Sequence, residues 1–141
     1  MYDAERQLLT ALRRALLHLH KTLLDWERVA YDRQRGERTP PGELLSIVMR
    51  DPQFAWLHPL SELIVRIDTM LDVEHPEPHA EVEAIVRQAR ALIAPDAESS
   101  GYGQRYHTAL QDHPDAVVAH GQVAALLKQA GKKEKKETPP H

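Results

Sequence analysis

Along the first third of the chain, apolar residues recur at the three- and four-residue spacing of a helix face. Leu8, Leu12, Ala15, Leu16, Leu19, Leu23, Trp26 and Ala30 share one side, and Leu9, Leu17, Leu24 and Tyr31 widen it. The pattern predicts a helix from about Asp3 to Arg35, stopped by Gly36. So broad a stripe faces two neighbours in a bundle rather than one partner in a coiled-coil seam. Roughly 33 residues would span about 50 Å. That is long for a domain of this size, so the far end is expected to need cover from a second subunit.

Prolines divide the rest, because proline lacks a helix donor and restricts the residue before it. A short helix is expected over Pro41 to Arg50, burying Leu44, Leu45 and Val48, with Asp51-Pro52 ending it. From Pro59 to about Asp72, Leu60, Leu63, Ile64, Ile67 and Leu71 line one face. His58, just before Pro59, is expected outside the helical region as a cap. After a stiff acidic connector, a helix from Pro78 to about Ala94 buries Val82, Ile85, Val86, Ala89, Leu92 and Ile93. A loop from Pro95 to Gly101 leads to a short helix presenting Tyr102, Tyr106, Ala109 and Leu110. The last helix runs from Pro114 to about Ala130, closed by Gly131. Lys132 to His141 is expected to be a disordered polar tail. The fold class is therefore all-α: a four-helix-bundle-like single domain over residues 1–131, with a long N-terminal helix and two short accessory helices.

Composition agrees with this and narrows the chemistry. Eighteen Leu and 17 Ala against nine Val and five Ile, in 141 residues, favour helix over strand. The absence of cysteine removes disulfides, thiolate metal sites and a cysteine nucleophile. Charge is uneven: residues 1–38 carry eight basic and six acidic side chains, whereas residues 39–100 carry four and eleven. A basic first helix is thus expected to lie against an acidic middle. No folded stretch is basic enough to follow a phosphate backbone, so nucleic acid is not an expected partner. Asp3 and Glu5 precede the first leucine, unlike a signal peptide, and charges interrupt Leu8 to Leu24, unlike a membrane span. A cytoplasmic protein is the expectation.

Nine histidines are many for this length, and histidine both binds metals and carries protons near neutral pH. His58 with Glu62, and His79 with Glu83, have i, i+4 spacing. His58 as a cap is expected not to face Glu62, and the second pair lies at the start of its helix, away from the apolar face. His75 and His79 flank a stiff exposed connector. His20 shares a helix line with Glu27, and His120 sits on the apolar face of the last helix among Ala116, Val117, Val123, Ala124 and Leu127. His20, Glu27 and His120 are the candidate ligands of a transition metal or haem, and His20 with Glu27 a candidate acid–base pair. The ordinary fate of such a histidine is burial against a carboxylate or carbonyl of a neighbouring helix. Nucleophile elbows, phosphate-cradling glycine loops and H-E-x-x-H are absent. Phe54 and Trp56, between two prolines, are candidates for an interaction surface or for a plug at one end of the bundle. The reading these features favour is a non-enzymatic helical interaction or regulatory module without cofactor. Its expected partner is itself, as a homodimer. The alternative is a histidine-liganded metal- or haem-binding bundle.

Overall fold

Asp3 and Glu5 in the first turn and Arg33 and Arg35 in the last complement the dipole of the longest helix, α1 (Asp3–Arg35). The computed structural model describes residues 3–96, 98 and 101–137, with 132–137 described by their backbone alone. After α1 come α2 (Pro41–Arg50), a 3-10 turn (Pro52–Leu57), α3 (His58–Asp72), α4 (Pro78–Leu92), α5 (Tyr102–Asp112) and α6 (Pro114–Glu137). No strand occurs among the described residues.

Four of these helices close a ring: α1 packs on α3 and α6, α3 on α4, and α4 on α6. This is a four-helix bundle, with α2 and α5 as accessories. Cross-links between the helices give their directions. Arg13 pairs with Asp68 and Arg6 donates to the Leu71 carbonyl at 3.1 Å, so α3 runs antiparallel to α1. His79 bonds Glu5 at 3.0 Å, placing the start of α4 beside the start of α1. The Arg13–Asp68 pair joins the basic first helix to the acidic middle, as the charge pattern anticipates.

The core is built from the α1 stripe, with Leu9, Leu12, Leu16, Leu19 and Leu23 fully buried against Leu60, Leu63 and Ile67 of α3 and Ile85 and Ala89 of α4. On α6, Ala116, Ala119, Val123, Leu127 and Ala130 face inward. These mostly small side chains let α1 and α6 approach closely. Gly36, at φ 72°, ends α1 in the left-handed conformation that glycine adopts without penalty. The Asp32 carboxylate then accepts from the backbone and hydroxyl of buried Thr39, turning the chain towards α2. The far end of α1 receives part of its cover within the chain, because buried Phe54 packs on Tyr31 with ring centroids 5.5 Å apart.

Three local expectations are corrected. α2 forms where its pattern says, yet no residue of it is buried and Leu45 is 70% exposed, because the helix packs mainly on the 3-10 turn rather than on the core. His58 is helical (φ −56°, ψ −42°) and opens α3, with Leu57 as its N-cap. The 3-10 turn runs directly into α3, and the His58 amide donates to the Ala55 carbonyl, which holds the conformation that Pro59 disfavours. Gly131 does not close α6, which continues to Glu137. A β-carbon at Gly131 would lie 3.1 Å from Arg90 Nη2, and Arg90 donates to the Leu127 carbonyl at 3.0 Å. The glycine therefore makes room for a cross-helix arginine, and the lysines beyond it are good helix formers. The backbone of the first part of the tail is thus helical, while residues 138–141 lie outside the described residues. No helix among the described residues is long and apolar enough to cross a membrane.

Candidate functional site

The most concentrated chemistry lies where α5 and the 3-10 turn meet the second half of α1. Glu27 is on the inner face of α1, in line with the leucine stripe, and is 1% exposed. Trp56 Nε1 donates to Glu27 Oε1 at 3.3 Å, and Arg105 Nη1 of α5 lies 3.4 Å from the same oxygen. Burial raises the Glu27 pKa above the usual carboxylate value, while Arg105 and the Trp56 hydrogen bond act in the opposite direction. A chain of rings runs from the indole that bonds this carboxylate. Trp26 meets Trp56 edge-on at 6.4 Å, Trp56 meets Tyr102 at 5.6 Å, and Tyr102 stacks on Tyr106 at 5.8 Å. Tyr106 then lies 5.7 Å from the His120 ring.

The polar tips of these rings face inward too. Tyr106 is fully buried, and its hydroxyl is 2.7 Å from His120 Nδ1. Burial lowers the His120 pKa and raises that of Tyr106, so both are neutral at pH 7. The two share one hydrogen bond between neutral groups. The Tyr102 hydroxyl is buried without a hydrogen-bond partner among the described residues, and its burial holds the phenol protonated. Arranged this way, the cluster pegs α5 in place: Arg105 bonds Glu27, Tyr106 bonds His120, and the rings, with the unpartnered Tyr102 hydroxyl among them, fill the space between helices.

His20 serves a second cross-helix link. Its Nε2 is 2.9 Å from Ser61 Oγ of α3. Burial, and secondarily the nearby His58, lower its pKa, leaving a neutral ring hydrogen-bonded to the serine hydroxyl. A serine beside a neutral histidine is the first half of a nucleophile–base pair. Among the described residues, however, no carboxylate bonds the other ring nitrogen to orient it. His20, Glu27 and His120 thus have separate partners on three different elements: Ser61, Trp56 with Arg105, and Tyr106. Among the described residues no group of three His, Asp or Glu side chains stands where it could hold a metal ion.

The remaining candidates divide by exposure. Phe54 is fully buried and belongs to the plug over Tyr31, whereas Trp56 is half-buried over Glu27. His79 bridges Glu5 and Glu83, each at 3.0 Å, and these carboxylates raise its pKa. The His75 Nδ1 accepts from the Glu77 backbone at 3.0 Å, stiffening the connector. Sequence reasoning passed over Arg105, Tyr102 and Ser61 as site residues. Arg105 carried a usable signal, since it is the single Lys or Arg between Arg90 and Lys128. Tyr102 and Tyr106, one turn apart in a chain with seven aromatics, carried another.

The surface offers a different kind of site. Leu45 and Met49 of α2 are 70% and 68% exposed, and Leu44, Ile47 and Val48 are only half-buried. Of the five apolar side chains of this ten-residue helix, Leu45 and Met49 thus form an apolar surface that the chain leaves uncovered. Comparison with family models, curated proteins and solved structures finds no match to the chain.

Proposed function

We propose that this chain is a non-enzymatic helical interaction module that works as a homodimer. The observation that carries the reading is α2. It is an amphipathic helix that forms, stays outside the core and presents Leu45 and Met49 to solvent. Burying a side chain of that size is worth about 1.5–3 kcal/mol. Holding two in water without function is therefore unfavourable, and a protein surface is the natural receiver. The interior is in keeping with this reading, since Glu27, His20 and His120 each bond a partner on another element and so fix the scaffold.

Sedimentation equilibrium on the full chain tests the proposal. A mass rising towards twice the 16.0 kDa of the chain over tens to hundreds of micromolar is the expected outcome. A single species of one chain's mass up to millimolar concentration would overturn the homodimer.

A further inference from the structure

We infer that the occupant of the exposed α2 surface is α2 of a second copy, laid across it antiparallel about a two-fold axis, with Glu43 of each copy against Arg50 of the other. The inference rests on the homodimer reading and adds its geometry. Residues seven apart in a helix lie two turns apart on nearly the same line. Glu43 and Arg50 are so spaced and share one edge of α2, both exposed, and neither makes an ion pair with another described residue. Leu45 and Met49, one turn apart, form the opposite edge of the exposed face, with Gly42 and Ser46 between the two edges. Nothing lies within 4 Å of a β-carbon built at Gly42, so the middle of the face is low and open.

A two-fold axis perpendicular to a pair of antiparallel helices brings like edges together with opposite ends matched. The apolar edge then meets the partner's apolar edge, and Glu43 at one end of the charged edge meets Arg50 at the other, twice per dimer. A parallel pair related by a two-fold axis along the helices sets the apolar edge of each copy against the charged edge of the other. Self-complementarity of this kind is what an isologous interface requires. A ten-residue helix is about 15 Å long, so the contact falls in the small, transient class below about 1,200 Å².

The experiment is sedimentation equilibrium of the full chain and of E43R, R50E, the double variant E43R/R50E, and L45S/M49S, with far-UV circular dichroism to confirm unchanged helix content. E43R and R50E are each expected to weaken dimerisation about tenfold, since each places like charges together at both ends. The double variant restores opposite charges and is expected to recover to within about twofold of the wild type. L45S/M49S is expected to be monomeric. A dimer indifferent to all four sets of changes would overturn the α2 interface while leaving the homodimer intact. Loss in both single charge variants without recovery in the double would overturn the antiparallel pairing. A wild-type chain that is monomeric throughout would overturn the homodimer and this interface together.

Discussion

α2 and α5 are accessory helices of nearly equal length, ten and eleven residues, and they meet opposite fates. α5 has the more polar sequence, yet it buries Tyr106 and Ala109 and is tied down by Arg105 on Glu27 and Tyr106 on His120. α2 is richer in aliphatic residues and buries none. The apolar content of a segment therefore does not decide whether it is buried. What decides is whether the core offers a surface of matching shape and polarity. For α5 that surface is the floor of Trp56, Glu27 and His120, which receives two phenol rings and a guanidinium. α2 finds only the flank of the 3-10 turn, and Leu45 and Met49 stay exposed.

The contrast breaks most sharply at Tyr106. Tyr106→Ala removes a fully buried ring stacked between Tyr102 and His120 and should cost about 3–5 kcal/mol in urea-unfolding stability. Tyr106→Phe keeps the ring and loses only the bond to His120, for a cost of about 1 kcal/mol. Equal losses in the two variants would mean that the hydroxyl, rather than the ring, docks α5.

Glu27 comes next in size. Glu27→Ala opens a small cavity and leaves the Trp56 indole N–H without its acceptor, at about 2 kcal/mol. Glu27→Gln retains an acceptor for Trp56 and gives up the attraction to a half-exposed arginine, so about 1 kcal/mol or less is expected. Urea midpoints at pH 7 distinguish the two. An Ala variant as stable as the Gln variant would deny the carboxylate its pegging role.

Titration of the same pegs gives a smaller, pH-dependent effect. His20 and His120 have folded pKa values below 6.5, so their contribution is present above pH 6.5 and is lost as the pH falls through the folded values. Glu27 is shifted the other way. Its contribution is full below pH 4.5 and is lost as the pH rises through its raised folded pKa. His79, also raised, contributes below pH 6.5 and loses that contribution as the pH rises through its folded value. Replacing His120 by Gln should therefore flatten the fall in stability on acidification from pH 7, and Glu27→Gln should steepen it towards pH 4.5. Changes on α2 should leave the profile as it is. A His120→Gln profile parallel to the wild type between pH 7 and 5 would remove His120 from the account.

The helices are largely legible in the sequence because their signals are local. The α1 stripe, Gly36, Pro41, Pro78 and Pro114 mark starts and stops through backbone chemistry that needs no tertiary partner. Gly131 misleads because its role is set by Arg90, a residue 41 positions away in the chain. His58 misleads because the preceding 3-10 turn, itself invisible to a periodicity argument, carries it into the helix. The pegs were half legible. The positions of His20, Glu27 and His120 on inward-facing lines could be read, but their partners Ser61, Arg105 and Tyr106 depend on how α3 and α5 pack. The exposure of α2 was not legible at all, since an amphipathic pattern states which face is apolar and not what will cover it.

The smallest expected effect on folding is therefore also the most informative about α2. Leu45→Ala and Met49→Ala truncate side chains already 70% and 68% in water, so the stability of the isolated chain should change by no more than about 0.5 kcal/mol. The same truncation at a buried leucine of α1, such as Leu16, should cost about 2–5 kcal/mol. Urea unfolding must be run well below the self-association range, because any dimer would add its binding energy to the apparent stability. Under that condition, a loss above about 1 kcal/mol at Leu45 would show that α2 is docked in solution in a way that gives it a role like that of α5. A near-zero loss, together with weakened association at higher concentration, would separate the two helices cleanly: one completes the bundle, and the other is held ready for a second copy.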